Sequence, residues 1–411
     1  MTAIPACLGC GAPLTRTWVD LGDQPLANSN IRPENAAAPE ASYPLHARVC
    51  DACLLVQVES VVPREAIFNE DYAYFSSFSD SWLAHCKAYA EAMTARFGLG
   101  PQSQVVEIAS NDGYMLQYFV AAGVPVLGVE PSANTAEAAI AKGVATDISF
   151  FGLETARRLA NAGHAADLLA AKNVLAHVPD INDFAAGIAA LLKPEGVFTV
   201  EFPHLLRTIE GVQFDTIYHE HFTYLSLLAV ENVFARHGLR VFDCEQYPTH
   251  GGSLRVFACR TGAGHALHPG VAAVRNAEIA AGLDGPAGYA GFDARCRAVR
   301  DGLNAFLAEA KTAGKTVAGY GAAAKGNTLL NYCGAGADAM LFIADRSPAK
   351  QGRLSPGSRI PIRPPEAIFE ARPDYVLILP WNLRTEVMAQ LAGILEWGGR
   401  FVTAVPALRI D

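Results

Sequence analysis

The sequence lacks the marks of several protein classes. Among its 411 residues, no apolar run approaches the roughly eighteen residues that a membrane-spanning helix needs. The N-terminus has no charged segment followed by an apolar core, so we expect no signal peptide. The net charge of −9 at pH 7 argues against broad contact with nucleic acid or an anionic membrane. What is present is the composition of an ordinary globular protein of two or three domains, with the cytoplasm as its expected location.

The cysteines indicate a small metal module. Four of the nine cysteines form two Cys-x-x-Cys pairs, Cys7/Cys10 and Cys50/Cys53, and four thiolates can hold a tetrahedral zinc ion that stabilises a module with little core. The long gap between the pairs weakens the pattern. A thioredoxin-like redox site is disfavoured because neither pair opens a helix after a strand. We therefore predict a structural zinc module over residues 1–70.

The clearest functional signal lies between residues 104 and 130. An apolar strand ends in a polar turn, a helix follows, and a second apolar strand ends on Glu130, which together make half of a nucleotide-binding βαβ unit. The turn reads Ser110-Asn111-Asp112-Gly113. It lacks the Gly-x-Gly-x-x-Gly that brings a helix N-terminus against a pyrophosphate. A nucleoside without phosphate, such as S-adenosylmethionine (SAM), therefore fits better than a dinucleotide, and Glu130 could accept hydrogen bonds from the ribose hydroxyls.

The central part of the chain alternates strands and helices. The first four of its six predicted strands are continuous apolar runs, as in a buried parallel sheet. The last two flank a short loop with Gly251 and Gly252 and are expected to pair antiparallel. The six strands are predicted at 104–109, 125–130, 167–172, 196–202, 239–244 and 253–259. A parallel α/β sheet that closes on an antiparallel hairpin predicts the class I SAM methyltransferase fold, within a domain over residues 71–262.

The remaining residues, 263–411, are predicted to hold a helical connector and a C-terminal Rossmann-like domain. Its strands are predicted at 316–320, 340–344, 375–379 and 400–405. A Gly-x-Gly without the third glycine is a weak dinucleotide signal, whereas Lys325 and Thr328 near a helix N-terminus favour a phosphate contact. We interpret the Pro- and Gly-rich segment 346–365 as a surface excursion rather than a loop that closes on substrate.

The best catalytic candidates follow the fourth strand, on the side of the sheet where open α/β folds bind ligands. They are Tyr218, His219, Glu220 and His221. A zinc site is disfavoured because two histidines two residues apart do not share a helix face, and a polar cluster without catalytic function is a structural alternative. His177, after the third strand, is a second candidate.

Acid–base chemistry at these residues suits methyl transfer to a carbon next to a ketone. A neutral imidazole would remove the α-proton, and donors such as Tyr218 would stabilise the enolate. Glu220 would orient the imidazole and support its cationic form. Before the first central strand, the aromatic residues around Tyr72 are expected either to pack in the core or to form a lid over the ligand.

Taken together, the motifs resemble the C-methyltransferases of deoxysugar biosynthesis, with the enzyme of the tetronitrose pathway as a close analogue. The resemblance covers nearly the whole chain. It is carried by the paired cysteines, Glu107-Ile-Ala-Ser-Asn-Asp-Gly113, Asn173-Val-Leu-Ala-His177, Tyr218-His-Glu-His221, Thr249-His-Gly-Gly-Ser253 and Gly319-Tyr-Gly-Ala-Ala-Ala-Lys325-Gly326-Asn327. This family acts at C-3 of nucleotide-linked 4-keto-6-deoxyhexoses, with thymidine diphosphate as the expected carrier.

The resemblance implies a zinc-binding N-terminal domain, a central SAM domain and a C-terminal Rossmann-like domain that helps to hold the nucleotide-sugar. By position, His221 would be the principal base, and the site would also be lined by Tyr72, His177, Tyr218 and Glu220. The expected SAM contacts are Glu107, Ser110, Asn111, Asp112, Gly113, Glu130, Pro131 and Asn173. The expected substrate contacts are Lys325, Asn327, Thr328 and His250.

Other functions are compatible with parts of the sequence. O- or N-methylation of another sugar or small metabolite would use the same fold without an enolate. A nucleotide-sugar oxidoreductase would need the Gly-x-Gly-x-x-Gly that neither first strand provides. A non-catalytic zinc-ribbon module would not bind SAM, and it would leave the cluster Tyr218–His221 without a purpose.

Overall fold

The computed structural model describes residues 4–59, 62, 76–78 and 80–411. In this part of the chain the strands form three sheets of four, seven and six strands. The helices are α1 (Asp80–Phe97), α2 (Leu116–Ala121), α3 (Ala133–Ala141), α4 (Leu153–Asn161), α5 (Ile181–Leu191), α6 (Leu205–Glu210), α7 (Leu227–Ala235), α8 (Pro269–Ala280), α9 (Phe292–Thr312), α10 (Ala324–Cys333), α11 (Glu366–Ala371) and α12 (Arg384–Gln390). None of the helices described is both long and apolar enough to cross a membrane.

The central sheet confirms the predicted class I methyltransferase fold. Its strands are β4 (Val105–Ile108), β5 (Val126–Val129), β6 (Thr146–Asp147), β7 (Ala166–Lys172), β8 (Leu192–Pro203), β10 (Leu239–Tyr247) and β11 (Ser253–Arg260), in the order β10-β11-β8-β7-β4-β5-β6. Only β11 runs against its neighbours, because it pairs antiparallel with both β8 and β10. The two-residue edge strand β6 was not predicted, since so short a run has no periodic signal.

The N-terminal sheet takes one strand from elsewhere in the chain. Its strands are β1 (Arg16–Gln24), β2 (Tyr43–Val49), β3 (Val56–Val58) and β9 (Thr223–Tyr224), paired in that order. Strand β9 directly follows the Tyr218–His221 motif, so this motif is fixed on one side by the N-terminal sheet. The sheet also packs on the connector helix α9, where Trp18 stacks on Phe292 with ring centroids 4.3 Å apart. The domain boundaries at residues 70 and 262 stay predictions.

The C-terminal sheet confirms a second Rossmann-like α/β unit. Its strands are β12 (Val317–Tyr320), β13 (Ile343–Ala344), β14 (Ile362–Arg363), β15 (Tyr375–Ile378), β16 (Arg400–Thr403) and β17 (Arg409–Ile410), in the order β14-β13-β12-β15-β16-β17. All neighbours pair parallel except β16 and β17. The buried side chains on one face of this sheet share a hydrophobic core with the N-terminal sheet, and those on the other face form a separate cluster. The shared core explains why the first seventy residues show little core of their own.

The connector helix α8 is held to the central domain by a buried carboxylate. Glu278 is fully buried and accepts hydrogen bonds from the backbone amides of Leu227 (2.6 Å) and Leu228 (3.0 Å), at the start of α7. Its Oε1 also lies 2.7 Å from Nε2 of His204. A carboxylate at a helix N-terminus compensates unpaired amides and the helix dipole, so α8 has a defined position against the sheet.

Candidate active site

A cavity of about 1390 Å³ lies at the carboxyl ends of the central strands. Its wall combines three parts of the chain: the N-terminal segment 26–35, the ends of β4, β5, β7 and β8 with the loops that follow them, and the C-terminal segments 323–325 and 347–353. Open α/β sheets bind ligands at this edge. The cavity is therefore the candidate active site.

Most of the predicted site residues lie on this wall. They are Asn111, Glu130, Pro131, Asn173, His177, Tyr218, Glu220, His221, His250 and Lys325. Four predicted SAM contacts, Glu107, Ser110, Asp112 and Gly113, do not line the cavity, and neither do Asn327 and Thr328. Tyr72 lies outside the described residues. The structure thus brings ten of the predicted site residues together on one wall. Four of the eight predicted SAM contacts lie behind that wall.

The Ser110–Gly113 turn is shaped by its backbone. Asn111 and Gly113 both adopt positive φ, +48° and +76°, a region in which Gly and Asn are tolerated best. Glu130 stabilises the turn, because its carboxylate accepts hydrogen bonds from the amides of Asn111 (3.0 Å) and Ser132 (2.9 Å). Burial raises the pKa of Glu130. Each carboxylate oxygen retains a second lone pair, so a ribose contact at this acid is compatible with the geometry.

The side chains of the turn fit SAM. Glu107 is fully buried beneath the turn, and burial raises its pKa well above the usual range. Ser110 Oγ and Asp112 Oδ1 are buried and make no hydrogen bond to any residue that the structure describes. Lys142 Nζ pairs with the other oxygen of Asp112 at 2.9 Å. Uncompensated polar atoms are costly, so the two remaining acceptors suit hydroxyl and amine donors such as those of SAM. The turn would hold the nucleoside, with Asn111, Glu130 and Pro131 at the cavity surface.

His221 is held as a neutral imidazole on the cavity wall. Its Nδ1 lies 2.9 Å from the Thr216 carbonyl oxygen, which can only accept, so Nδ1 carries the proton and Nε2 has the lone pair. Nε2 lies 2.9 Å from the Tyr218 hydroxyl, and the two rings are in contact at 4.0 Å between centroids with an interplanar angle of 32°. Burial, together with the nearby His177, Lys325 and His250, holds the pKa of His221 well below its usual range. The imidazole is therefore unprotonated near neutral pH.

Two more histidines lie on the cavity wall with His221. The His177 ring lies 4.6 Å from that of His221. Its Nδ1 donates to the Glu220 carbonyl oxygen at 2.8 Å, and burial lowers its pKa to about 4. His250 Nε2 accepts from Nδ2 of Asn173 at 3.2 Å. The three imidazoles thus come from separate loops of the central domain.

The expected role of Glu220 as the group that orients the imidazole is wrong. The Thr216 carbonyl does this instead, while the Glu220 carboxyl accepts a hydrogen bond from Asn28 Nδ2 at 2.6 Å. Burial raises the pKa of Glu220 to about 7. Sequence reasoning missed Asn28 because nothing local marks an asparagine so distant in the chain as a neighbour. His219 points away, with Nε2 3.2 Å from the carbonyls of Tyr43 and Pro44.

A buried acid links the base to the C-terminal sheet. Asp215 is fully buried and accepts a hydrogen bond from Nε1 of Trp381 at 2.7 Å, and burial raises its pKa to about 6. The Lys325 ammonium lies 4.8 Å from the Trp381 ring centroid and donates to Asn382 Oδ1 at 2.7 Å. Asp215 immediately precedes Thr216, whose carbonyl holds His221. Side chains from the C-terminal sheet therefore support the loop that positions the imidazole.

The phosphate contact predicted for Thr328 is wrong, because this residue is buried in α10 away from the cavity. Asn327 is also buried and donates from Nδ2 to the carbonyl of Ala27 at 2.8 Å, so it fastens α10 to the N-terminal segment. Lys325, in the first turn of α10, lies on the cavity wall, whereas Asn327 and Thr328, two and three residues further along the helix, are buried. A single sequence motif thus separates into one cavity residue and two packing residues.

The interpretation of segment 346–365 as a surface excursion is also wrong. Ser347, Lys350 and Arg353 lie on the cavity wall. The segment pairs with the N-terminal one through two backbone hydrogen bonds of 2.8 Å between Ile31 and Leu354. The sequence gives no periodic signal for a single β-bridge between residues so far apart. The segment therefore helps to enclose the cavity.

An ionic cluster at the end of β7 was not predicted. Glu201 is buried and lies 2.9 Å from both Lys172 Nζ and Arg255 Nη2, with His85 Nε2 also at 2.9 Å. Burial raises the pKa of Glu201, but the Lys172 and Arg255 cations and the hydrogen bond with His85 outweigh it and hold this pKa far below its usual range. Lys172 also lines the cavity. The strand pattern at these positions indicates that they are buried. The sequence cannot show, however, which buried charged residues pair with each other.

The four cysteines of the N-terminal module fit a structural zinc ion. Their Sγ atoms all lie within 4.8 Å of one another, with Cys7 and Cys53 at 3.5 Å and Cys10 and Cys50 at 3.4 Å. A tetrahedral site with four thiolates at about 2.3 Å from zinc has comparable separations. Each pair sits in a tight turn that brings its own two thiols together. The turns are closed by backbone hydrogen bonds from Gly11 N to Cys7 O and from Leu54 N to Cys50 O. The cluster lies apart from the cavity wall.

Comparison with protein families divides the chain in a similar way. Residues 7–68 match a model of a zinc binding domain, residues 82–243 a methyltransferase domain, and residues 248–406 a C-methyltransferase C-terminal domain. Together the three matches span nearly the whole chain. They agree with the cysteine cluster, the class I sheet and the second α/β unit.

Individual relatives differ in how much of the chain they share. The C-methyltransferase NovU of Streptomyces niveus is 38% identical over 407 residues, which are 99% of this chain and 97% of that protein. A ubiquinone biosynthesis O-methyltransferase of Chelativorans sp. is 28% identical and covers 32% of this chain and 54% of that protein. Among solved structures, a magnesium protoporphyrin IX methyltransferase from Synechocystis PCC 6803 with bound SAM has 14% identity and a TM-score of 0.36, covering 49% of this chain and all of that one.

Proposed function

The chain belongs to the SAM-dependent C-methyltransferase family, and we propose that it methylates C-3 of a nucleotide-diphospho-4-keto-6-deoxyhexose. The observation that carries this proposal is the neutral His221 imidazole on the cavity wall. Its Nε2 lone pair points toward Tyr218, and the Thr216 carbonyl keeps the proton on Nδ1. A base of this kind is needed for a carbon acceptor but not for an amine acceptor.

The proposed chemistry uses the carbon acid next to the ketone. His221 Nε2 takes the proton from C-3, and the electron pair of the C–H bond moves to form the C-3/C-4 double bond with negative charge on the C-4 oxygen. The Tyr218 hydroxyl and the imidazolium that forms can donate hydrogen bonds to this oxygen. C-3 of the enolate would then form the new carbon–carbon bond to the methyl group of SAM as the methyl–sulfur bond breaks, and S-adenosylhomocysteine would leave with that bond's electron pair. His177 and Glu220 complete this part of the wall.

The acids of the central turn are proposed to hold SAM. Glu130 would accept from the ribose hydroxyls at the cavity surface, with Asn111, Pro131 and Asn173 beside it. Glu107, Ser110, Asp112 and Gly113 would shape the turn from behind. This division between contact and support replaces the single predicted set of eight SAM contacts.

The substrate is proposed to enter between the N-terminal and C-terminal segments. Lys325 and His250 face the same cavity as His221, whereas Asn327 supports the wall. A nucleotide carrier, with thymidine diphosphate as the expected form, would extend beyond the sugar toward these segments. The cavity volume of about 1390 Å³ exceeds what a single drug-sized ligand usually needs, so it has room for two ligands.

The test is incubation of the purified protein with SAM and a panel of thymidine-diphospho-4-keto-6-deoxyhexoses. We expect a mass gain of one methylene, formation of S-adenosylhomocysteine, and a methyl singlet on a quaternary carbon in the NMR spectrum of the product. In D₂O without SAM, the C-3 proton should exchange for deuterium. An O-methyl or N-methyl signal would instead identify the alternative reaction, and absence of product and exchange with every sugar would reject the substrate class.

A further inference from the structure

Two arginines from distant parts of the chain occupy neighbouring backbone positions at the cavity. Ile31 and Leu354 form an antiparallel β-bridge with hydrogen bonds of 2.8 Å in both directions. In such a pair, the residue after one bridge partner lies opposite the residue before the other. These residues are Arg32 and Arg353, and both line the cavity.

The bridge between the two segments is rigidly supported. Arg359 donates from its guanidinium to the carbonyl oxygens of Ala36 and Ala38. The backbone amide of Gly357 donates to Glu40 Oε2 at 2.8 Å. These contacts fix segment 346–365 against the N-terminal segment on the side away from the cavity wall. The relative position of Arg32 and Arg353 is therefore set by the fold.

The two guanidinium groups have no compensating charge in the part of the chain that is described. Neither forms an ion pair or a side-chain hydrogen bond there. Lys350, also on the wall, donates to the carbonyl of Ala322 at 2.8 Å, with Asp345 at 3.9 Å. The acids on the cavity wall are Glu130 and Glu220, and both have backbone or side-chain donors of their own. The edge formed by the two arginines therefore carries excess positive charge.

Such a pair is unfavourable unless an anion lies between its members. Like charges directly opposite each other across two strands destabilise the pairing. A guanidinium presents a planar fork of donors that matches two oxygens of a phosphate, so two of them can bind adjacent phosphates in a bidentate manner. A diphosphate would thus turn repulsion into attraction and hold the two segments together.

We propose that Arg32 and Arg353 form a clamp for the diphosphate of the substrate. This inference rests on the proposed function and names a part of the site that the sequence had assigned to Lys325 and Thr328. Lys325 already donates to Asn382 and lies on the same wall as the base. Diphosphate recognition is thereby shared between the N-terminal and C-terminal segments rather than provided by one helix N-terminus.

Calorimetric titration of the full chain with thymidine 5′-diphosphate, in the presence of S-adenosylhomocysteine, tests the clamp. Arg32→Gln and Arg353→Gln should each weaken binding by about 10- to 100-fold, the range expected for lost charge-assisted hydrogen bonds. Arg353→Lys should restore only part of the affinity, because an ammonium lacks the fork. Arg346→Gln is the matched control, since this arginine is exposed on the same segment and does not line the cavity.

Two further readouts separate the clamp from other roles. Without ligand, each Gln variant should melt at or slightly above the wild-type temperature because repulsion is relieved, whereas a structural role would lower it. SAM affinity should be unchanged; a comparable loss of SAM affinity would assign the pair to the SAM carboxylate and overturn the proposal. Unaltered thymidine diphosphate binding in both variants, or no binding of this ligand by the wild type, would overturn it as well.

The clamp and the proposed function can fail separately. If the panel of ketosugars yields no methylated product while thymidine diphosphate still depends on both arginines, the clamp stands and the reaction is wrong. If the sugar is methylated and neither arginine affects its KM, the reaction stands and the clamp is wrong.

Discussion

Two strand–turn–helix units, one in the central sheet and one in the C-terminal sheet, share a backbone device. In the central unit, the acid after the second strand is Glu130, which accepts from the amides of Asn111 and Ser132. In the C-terminal unit, Asp345 follows β13 and accepts from the amides of Ala322 (2.7 Å) and Ser347 (2.8 Å). In both units the acid fastens the first turn to the end of the neighbouring strand.

The two units differ in the charge that surrounds this device. The third residue of the first strand is Glu107 in the central unit and Gly319 in the C-terminal unit. Glu130 lines the cavity, whereas Asp345 does not, and the C-terminal unit contributes the cations Lys325, Lys350 and Arg353. An acid at the end of a second strand is therefore first a support for the turn. We propose that the side chains around it set the ligand preference, with the acid Glu130 toward SAM and the three cations toward the substrate.

The largest effect on turnover is expected from replacing His221. If both units only bind ligands, then His221→Ala should lower turnover by about 100- to 10,000-fold, the usual contribution of a general base, with the affinities for SAM and thymidine diphosphate retained. Steady-state rates and calorimetry on the same preparation would show this. The variant should also lose deuterium exchange at C-3 in D₂O.

The matched control for that variant is His219→Ala. His219 lies two residues away, but its imidazole contacts the carbonyls of Tyr43 and Pro44 and does not line the cavity. Turnover by the folded control should stay within a few-fold of wild type. Near-wild-type turnover by His221→Ala would remove this histidine as the base, and a loss of both ligand affinities would indicate a change in the cavity instead.

The next largest effect separates support of the turn from ligand contact. Glu130→Ala and Asp345→Ala each remove a carboxylate that accepts from two backbone amides, so both should lower the melting temperature. Only Glu130→Ala should weaken SAM binding, by about 10- to 100-fold, because it also removes charge-assisted bonds to the ribose. Calorimetry with SAM would measure the difference. Equal SAM affinity in the two variants would restrict Glu130 to the supporting role.

Many strands of the two units could be predicted from the sequence, because buried parallel strands appear in it as continuous apolar runs. Most central strands and the antiparallel hairpin were predicted from such runs, as were four of the six strands of the C-terminal unit. The short strands β6, β9, β14 and β17 were missed, and the N-terminal strands β1, β2 and β3 were not predicted. Two-residue strands have no periodicity, and their pairing depends on what the rest of the chain places beside them.

The site was predictable where its residues follow strand ends and not where the contacts are distant in the chain. His177, Tyr218 and His221 meet because successive parallel strands end at the same edge. The hydrogen bonds of Glu220 to Asn28 and of Asp215 to Trp381 join residues more than 150 positions apart. The sequence signals for a helix N-terminus also did not indicate that the side chain of Thr328 faces the core. Which side of a helix is buried depends on how the helix packs against the rest of the protein.

A smaller effect would show whether the C-terminal unit supports the base. Trp381→Phe removes the indole donor to Asp215, which precedes Thr216, so the imidazole should be held less firmly and kcat should fall by roughly 3- to 10-fold. KM for both ligands should change less. The matched control is Trp397→Phe, because Trp397 also donates its indole N–H, but to the Pro373 carbonyl at 3.1 Å and not to Asp215. A fall in kcat of equal size in both variants would reduce the effect to general stability.

The smallest effect concerns the field of the cation in the C-terminal unit. After burial and His177, the Lys325 ammonium is among the causes that hold the pKa of His221 below its usual range, because it disfavours a second positive charge nearby. Lys325→Met removes that charge, so the pKa of His221 should rise. The neutral base would then be lost at a higher pH, and the acid limb of the kcat/KM profile should move upward. Lys315→Met, on an exposed lysine paired with Asp374, should leave the limb in place. The imidazole titration of His221 can be followed by NMR. An acid limb that does not move in Lys325→Met would show that the cations of the C-terminal unit act on the substrate alone.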